Sequence, residues 1–405
     1  METIIAFIYV FHQAIGANLD LFYFMSLILI VVEISKQNKI TLKAVAYIYL
    51  IVLYSLLQIV VTDEIHIQRL VINVAKVFLC LYLFLQVREM KLPRFSLNKI
   101  IKTTSVMNFI LLLVSLVYKS DLLWRLDDNV NIYQKTRLSL LYFEPSEASF
   151  HAAILIILLM YQALRERDFK RNVWNLFFIA TNFMIVLLSA GMGAMLGLML
   201  ASVLMYFYYI RERISTGKAL MLIALVMISA VGIFVFITSK NSFFMRLTDI
   251  LNGKDGSVVY RLNVSFTVMK QMLIESNFLG IGFGNLNTDA TRSLYYSYGL
   301  VEVISNSFMY FIAEGGIPAL ILLVCLLISI LYRVAPSERI LKYSLFVFIM
   351  SYQIAGGYFT NPVNWIIYGL IANQIYMQEY TNHMSSSLVR STNVNNLSQI
   401  TRKWS

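Results

Sequence analysis

Residues 219–238 read ALMLIALVMISAVGIFVFIT, twenty residues without a charge. A run of that length crosses a bilayer as a helix. Transmembrane β-strands alternate apolar and polar residues with period two, whereas this stretch is continuously apolar, so it argues for a helical membrane protein and against a barrel. The rest of the chain reads the same way. Of 405 residues, 59% are hydrophobic and 14% are charged, and the mean hydropathy is +0.70. Soluble domains carry about a quarter charged residues. The expected fold is therefore an all-α polytopic membrane protein: one transmembrane domain over residues 1–379, followed by a polar tail at 380–405. The tail is rich in Ser, Asn and Thr and lacks apolar periodicity, which predicts disorder.

Apolar segments long enough to span predict helices near 44–61, 68–87, 100–118, 149–164, 174–190, 192–210, 219–238, 305–332, 342–357 and 363–378. The first 34 residues allow two readings: two short spans broken around Gly16, Asn18 and Asp20, or one span preceded by an interfacial helix. The total is then eleven or twelve. The opening METIIAFIYVF has no basic n-region and reads as a membrane segment, not a removed signal peptide. Basic residues cluster at every second connection: Lys36, Lys39 and Lys43; Arg88, Lys91, Arg94 and Lys99; Arg165, Arg167, Lys170 and Arg171; Arg211, Arg213 and Lys218; Arg333, Arg339 and Lys342. By the positive-inside rule these loops are cytoplasmic, and so is the C-terminus. Much of the net charge of +11 thereby reports orientation, and no nucleic-acid partner is needed to explain it. Two alternate connections, about 119–149 and 239–304, are long and face outward. Long loops of this kind are where chemistry is expected.

Cys80 and Cys325 sit in separate apolar runs and read as packing residues, and the four histidines (His12, His66, His151, His383) are isolated from them and from one another. No metal-ligand spacing results. There is also no P-loop, nucleophile elbow, zincin helix or kinase set. An enzyme at the outer face has no ATP, so its donor must arrive activated, and a lipid-linked diphosphate meets that need. Arginine suits such a donor because its planar fork binds phosphate oxygens in pairs. The outer loops supply Arg125, Arg137, Arg246, Arg261 and Arg292. Arg137 and Arg261 stand out because each leads into an apolar segment instead of an acidic cluster.

Thr136–Ala152, TRLSLLYFEPSEASFHA, places Arg137 before Glu144, Pro145 and Ser146 at the start of a membrane helix, whose N-terminus adds positive potential. Glu144 reads as a general base, as an orienting partner for an arginine, or as a capping group; His151 reads as packing. In the second loop, RLNVSFTVMKQMLIESNFLG carries Leu262, Phe266, Met269, Leu273 and Ile274 at helical spacing and predicts an amphipathic helix, on the membrane or over the bundle. The glycines of Gly280-Ile-Gly282-Phe-Gly284-Asn285 mark a turn or close approach. After Asn306-Ser307-Phe308, the segment Glu314-Gly315-Gly316-Ile317-Pro318 predicts a helix break facing protein, since an intramembrane charge exposed to lipid costs about 2.5–3.5 kcal/mol. Lys76, mid-span, is expected to neutralise an acidic partner such as Glu314 or Glu33.

Taken in order, these residues resemble the O-antigen ligase and polymerase superfamily, specifically Wzy-type polymerases of O-antigen, capsule and exopolysaccharide synthesis. The resemblance rests on Arg137 with Glu144-Pro145-Ser146, the break Leu188-Ser189-Ala190-Gly191-Met192-Gly193, Arg261 ahead of Asn277-Phe-Leu-Gly280-Ile-Gly282, and Asn306-Ser307-Phe308 with Glu314-Gly315-Gly316-Ile317. It covers about residues 130–320. It implies a GT-C-like glycosyltransferase of the bacterial cytoplasmic membrane, working without metal, cofactor or nucleotide sugar. Its substrate would be an undecaprenyl-diphosphate-linked oligosaccharide, and flippase and chain-length regulator proteins would be its partners. Arg137 and Arg261 would hold the diphosphate with Arg246 as a third, Glu144 would join them as a catalytic residue, and Gly282, Asn285, Asn306 and Glu314 would contribute to substrate binding. Two positions depart from the pattern. Ser305 stands where the ligases commonly carry histidine, which favours polymerase over ligase and leaves the general base open. Ala190 and Met192 replace the arginine of the helix break. Alternatives are a flippase or other secondary transporter of lipid-linked oligosaccharide, disfavoured because charge lies in outer loops rather than mid-span, and a ligase that differs in its acceptor.

Overall fold

The computed structural model describes residues 2–13, 20–37, 42–61, 65–89, 94–126, 136–165, 169–212, 242–295, 304–332, 339–356 and 359–373. The expected span at 219–238 and the polar tail lie outside these residues. The first half comprises α1 (Glu2–Phe11), α2 (Leu21–Gln37), α3 (Leu42–Val61), α4 (Ile67–Glu89), α5 (Arg94–Val117), α6 (Pro145–Arg165), α7 (Phe169–Ser189) and α8 (Met192–Glu212). The second long connection follows as α9 (Ser242–Leu251), α10 (Gly256–Val259), a π turn (Tyr260–Val264), α11 (Ser265–Glu275) and α12 (Asp289–Leu294). The chain returns through α13 (Ser307–Tyr332), α14 (Arg339–Ile354) and α15 (Pro362–Ala372). A two-residue antiparallel pair, β1 (Trp124–Arg125) and β2 (Arg137–Leu138), interrupts an otherwise helical chain.

This is an all-α polytopic membrane protein: six described helices are long and apolar enough to cross a bilayer. On α8, Leu196, Met199, Val203 and Phe207 are exposed at helical spacing, as expected of a face that meets lipid. The centre belongs to α6, whose apolar window is 78% buried against 28–39% for the other five spans. It packs against α5, α7, α8 and α14. Phe150 of α6 stacks on Tyr352 of α14 with centroids 4.0 Å apart. Small residues let neighbouring helices approach: a β-carbon on Gly197 of α8 would lie 3.1 Å from the Phe348 ring of α14. Polar side chains at span depth pair with each other, as Asn108 does with Asn182 across α5 and α7 at 2.8 Å.

Several sequence-level expectations change. The opening residues form two helices, and ten-residue α1 reaches only about 15 Å at 1.5 Å per residue, too short to cross alone. Instead it packs on α5. Lys342, assigned to a basic loop, lies inside α14, fully buried, and donates to the Asn373 carbonyl at 3.0 Å. Its charge is therefore a helix-end anchor. Cys80 is buried, but Cys325 is exposed on α13. Lys76 faces Asp20 electrostatically and lies 5.7 Å from the Tyr23 ring centre, so its acidic neighbour is Asp20 and not Glu314. In α11 the buried stripe is Ser265, Val268, Met269, Met272 and Leu273, packed against α13, while Leu262, Phe266 and Ile274 point outward. The π turn inserts a residue ahead of α11 and re-aims that face.

Candidate functional site

The break in α13 organises the long connection of α9–α12. Pro318 has no amide hydrogen, so it cannot bond the Glu314 carbonyl one turn back, and Gly316 takes the non-helical conformation φ 66°, ψ −163°. The carbonyls this frees are taken up by the incoming chain: Ile281 N–H donates to Ala313 O and Gly282 N–H to Glu314 O, each at 3.0 Å, and Gln58 Nε2 adds a bond to Glu314 O at 2.8 Å. The Ile317 N–H bonds Phe278 O at 2.9 Å, and Tyr54 donates to the Gly315 carbonyl. The Ala313, Glu314 and Gly315 carbonyls and the Ile317 amide thus find protein partners, as membrane depth requires.

The Glu314 carboxylate completes this clasp. It is buried and accepts from the amides of Leu286 (3.3 Å) and Gly284 and from the Tyr310 hydroxyl. Asn285 Oδ1 accepts from the His66 amide at 3.0 Å, and its Nδ2 donates to Ile281 O at 2.8 Å. Asn306 caps α13, its Oδ1 accepting from Phe308 and Met309 amides at 3.1 and 3.2 Å. Thus Gly282, Asn285 and Glu314 are brought together, with their polar groups engaged by one another and by α3, the start of α4 and α13. These bonds tie the segment that carries them to the membrane helices.

The arginines gather elsewhere. Arg261, in the π turn, packs against the end of α14: a β-carbon at Gly356 would lie 3.3 Å from Arg261 Nε, and Gly356 holds φ 112°. Ser305, in the position ahead of Asn306, presents its carbonyl to the same glycine at 2.8 Å from that β-carbon, while its amide bonds Ser265 Oγ at 3.3 Å. Burial, with the charge of Arg246 next in weight, lowers the Arg261 pKa from the ordinary arginine value, whereas Asp255, Tyr352 and Glu144 act to raise it. Arg246 Nε pairs with Asp255 Oδ2 at 3.2 Å, and Asp255 Oδ1 caps α10 through the Val258 amide at 2.9 Å. Among the described residues Arg261 itself forms no salt bridge. Two guanidiniums and the Asp255 carboxylate therefore lie together, with Arg261 in a partly desolvated place.

Arg137 belongs to the other long connection. Its Nε–H donates to the Ser189 carbonyl at 3.0 Å, at the end of α7. Ala190, next in the chain, sits at φ 49°, a left-handed conformation that a non-glycine residue holds only under constraint. Gly191 N–H donates to Ser149 Oγ of α6 at 3.2 Å, and Gly193 lies so close to Ala355 that a β-carbon there would overlap it. The α7–α8 break thus runs from Arg137 to the Ala355–Gly356 turn that seats Arg261. Glu144 is exposed just before α6, its Oε2 accepting from Ser146 Oγ at 3.1 Å. Arg125 pairs with Arg137 only through backbone register, and the Arg292 side chain lies outside the described residues.

Sequence reasoning missed Tyr352 and Gly356. The Ala355-Gly356-Gly357 triplet closing a predicted helix was the available signal of close approach. The fold and this site define a multi-pass membrane protein in which Arg246 and Arg261 lie together on one long connection and Arg137 on another. Residues 176–324 match a family model described as O-Antigen ligase. That match supports the O-antigen ligase/polymerase superfamily and, with it, a membrane glycan transferase. It includes Arg246, Arg261, Asn306 and Glu314, whereas Arg137 and Glu144 precede it. No curated protein matches the chain.

Proposed function

We propose that this protein is a polysaccharide polymerase of the bacterial cytoplasmic membrane, transferring a growing glycan from undecaprenyl diphosphate onto a lipid-linked repeat unit at the outer face. The observation that carries the reading is the convergence of Arg261 and Arg246, with Asp255 paired to Arg246 and Glu144 acting on Arg261. A diphosphate leaving group gains negative charge as its bond to the sugar breaks, and preorganised guanidiniums stabilise that charge without reorganising. Arg137, fixed to the α7–α8 break, adds a third from the opposite segment. Gly282, Asn285, Asn306 and Glu314 serve by holding the loop that carries Arg261. The C-terminus is cytoplasmic, and flippase and chain-length regulator proteins are the partners.

Ser305 beside Arg261, in the position where ligases carry histidine, favours a lipid-linked repeat unit as acceptor. The matching family's description favours the ligase as second reading, in which the finished glycan moves to a different acceptor. Purified protein given lipid-diphosphate-linked repeat units is expected to lengthen them without ATP. Arg261→Ala is expected to lower that rate at least about 100-fold, as loss of a transition-state charge contact does, and Arg137→Ala to lower it as well. Wild-type protein that lengthens no chain from its authentic repeat unit refutes the polymerase; transfer only to another acceptor selects the ligase.

A further inference from the structure

One group of titratable side chains has no part in the clasp or the arginine centre. Glu147 and His151 lie one turn apart on α6, four residues separated and so on the same face, and His12 comes from the turn after α1. Glu147 is 5% exposed, and both histidines are 0% exposed. The His12 and His151 ring centres are 5.1 Å apart, and Tyr142 stacks on His151 at 4.5 Å. His12 Nδ1 lies 3.0 Å from Tyr9 O. Four buried atoms here lack a hydrogen-bond partner: Glu147 Oε2, both ring nitrogens of His151, and His12 Nε2, which faces Asp20 Oδ2 at 3.8 Å.

Folded proteins leave few buried polar atoms unpaired, and a concentration of them calls for a reason. Simple packing supplies none, because apolar side chains of similar size would fill the space without the desolvation penalty. A cation is a poor fit, since among the described residues no three His, Cys, Asp or Glu side chains are placed to hold one. What suits an unpaired carboxylate oxygen beside imidazoles is a hydroxyl that arrives carrying a proton, the acceptor's own or a bridging water's.

The two carboxylates at the start of α6 divide the work. Glu144 is exposed, accepts from Ser146, and acts electrostatically on Arg261, so it serves as a counter-charge to the arginine. Glu147 is one turn further in. One of its oxygens is occupied by the Gln13 side chain and the Glu144 amide, in the manner of a helix-capping glutamate, and the other is unpaired. Glu144 and Asp20 act on it electrostatically, and Tyr9, His12, Tyr142 and His151 complete the titratable groups around it.

We propose that Glu147 is the proton acceptor of the transfer, with His12 and His151 as the polar wall behind it. The assignment rests on the glycan-transfer reading above. The acceptor's O–H bond breaks and the proton goes to Glu147 Oε2, directly or through one water. The oxygen forms its bond to C1 of the donor sugar, the C1–O bond to the diphosphate breaks, and that electron pair leaves on the diphosphate beside the arginines. Glu147 then returns the proton to solvent past Glu144, so no oxidant or metal is required.

The test uses the full chain in nanodiscs with a lipid-diphosphate-linked repeat unit. Glu147→Gln keeps an oxygen for the capping bond and is expected to reduce transfer about 100-fold or more, the usual contribution of a general base, with donor binding unchanged; Arg261→Ala is expected to weaken donor binding. In Glu147→Ala, added azide attacks C1 without a proton to lose, so glycosyl azide should accumulate. Should Glu147→Gln not fold, Glu147→Asp carries the test through a displaced pH profile of transfer. Transfer within about threefold of wild type at the wild-type pH profile, or loss of transfer with no glycosyl azide from Glu147→Ala, overturns the assignment while leaving the arginine centre standing. Absence of transfer by the wild type removes the function reading, and this assignment falls with it.

Discussion

Replacing Gly316 by alanine should break the clasp that positions the outer segment. At φ 66°, ψ −163° the residue occupies a region that is essentially confined to glycine, and forcing a side chain into it costs about 1–3 kcal/mol. The added β-carbon would also overlap the Phe278 carbonyl oxygen, the Leu279 carbonyl carbon and the Gly280 amide. All three are backbone atoms, held by the Ile317 N–H to Phe278 O and Gly282 N–H to Glu314 O bonds, so they cannot swing aside as a flexible side chain could. Overpacking of that kind adds about 1–3 kcal/mol, for a total of about 2–6 kcal/mol. Gly253→Ala is the control. It has a similar φ of 67° but open space around it, so it should show only the backbone penalty, about 1–2 kcal/mol. The assay follows thermal unfolding in detergent through alkylation of Cys80, which is fully buried, in a Cys325→Ser background because Cys325 is exposed. Gly316→Ala should lower the midpoint well beyond Gly253→Ala. Equal shifts for the two would refute the clasp.

Two further predictions come from other contacts. A β-carbon on Gly191 would collide with Cβ and Oγ of Ser149, so Gly191→Ala should destabilise by about 1–3 kcal/mol and impair transfer by displacing the Arg137 anchor. Adding Ser149→Gly should restore part of both, and a purely additive double mutant would disprove the contact. Burial raises the Asp20 pKa from 3.8 to about 6, against the opposing effects of the Phe22 amide, Gln13 and Lys76. The folded state therefore holds this proton more tightly than the unfolded state, so the group's contribution to stability declines as pH rises from about 4 to 6 and stays lost above that. Asp20→Asn should raise the unfolding midpoint at pH 7, by about 1–3 kcal/mol in stability, and flatten that pH dependence; an unchanged or lowered midpoint would count against the burial argument.

Much of the fold was legible along the chain. The spans at 44–61, 68–87, 100–118, 149–164, 174–190, 192–210 and 305–332 correspond to observed helices, since twenty apolar residues in a bilayer have few alternatives to a helix. The break at Glu314–Pro318 was readable because proline and paired glycines act on their own backbone. Less legible were the facing groups. Leu262, Phe266, Met269 and Leu273 share helical spacing, yet the π turn before α11 places two of them outward. Lys76 looked toward a distant glutamate, whereas the fold of α2 against α4 puts Asp20 beside it.

The sequence by itself determined the class: a chain this apolar is a helical membrane protein, and the arginines of its two long connections are where an anion is expected. Composition and local periodicity suffice for that, because bilayer insertion and backbone hydrogen bonding act residue by residue. Only the tertiary structure decided which residues meet. It turned Glu314, Asn285 and Gly282 into a clasp, brought Arg261 near Arg246 and its Asp255 partner, and left Glu147 buried with an unpaired oxygen one turn behind Glu144. Those outcomes depend on contacts between residues up to hundreds of positions apart, where burial, charge and the supply of hydrogen-bond partners are set by packing and leave no mark in the local sequence.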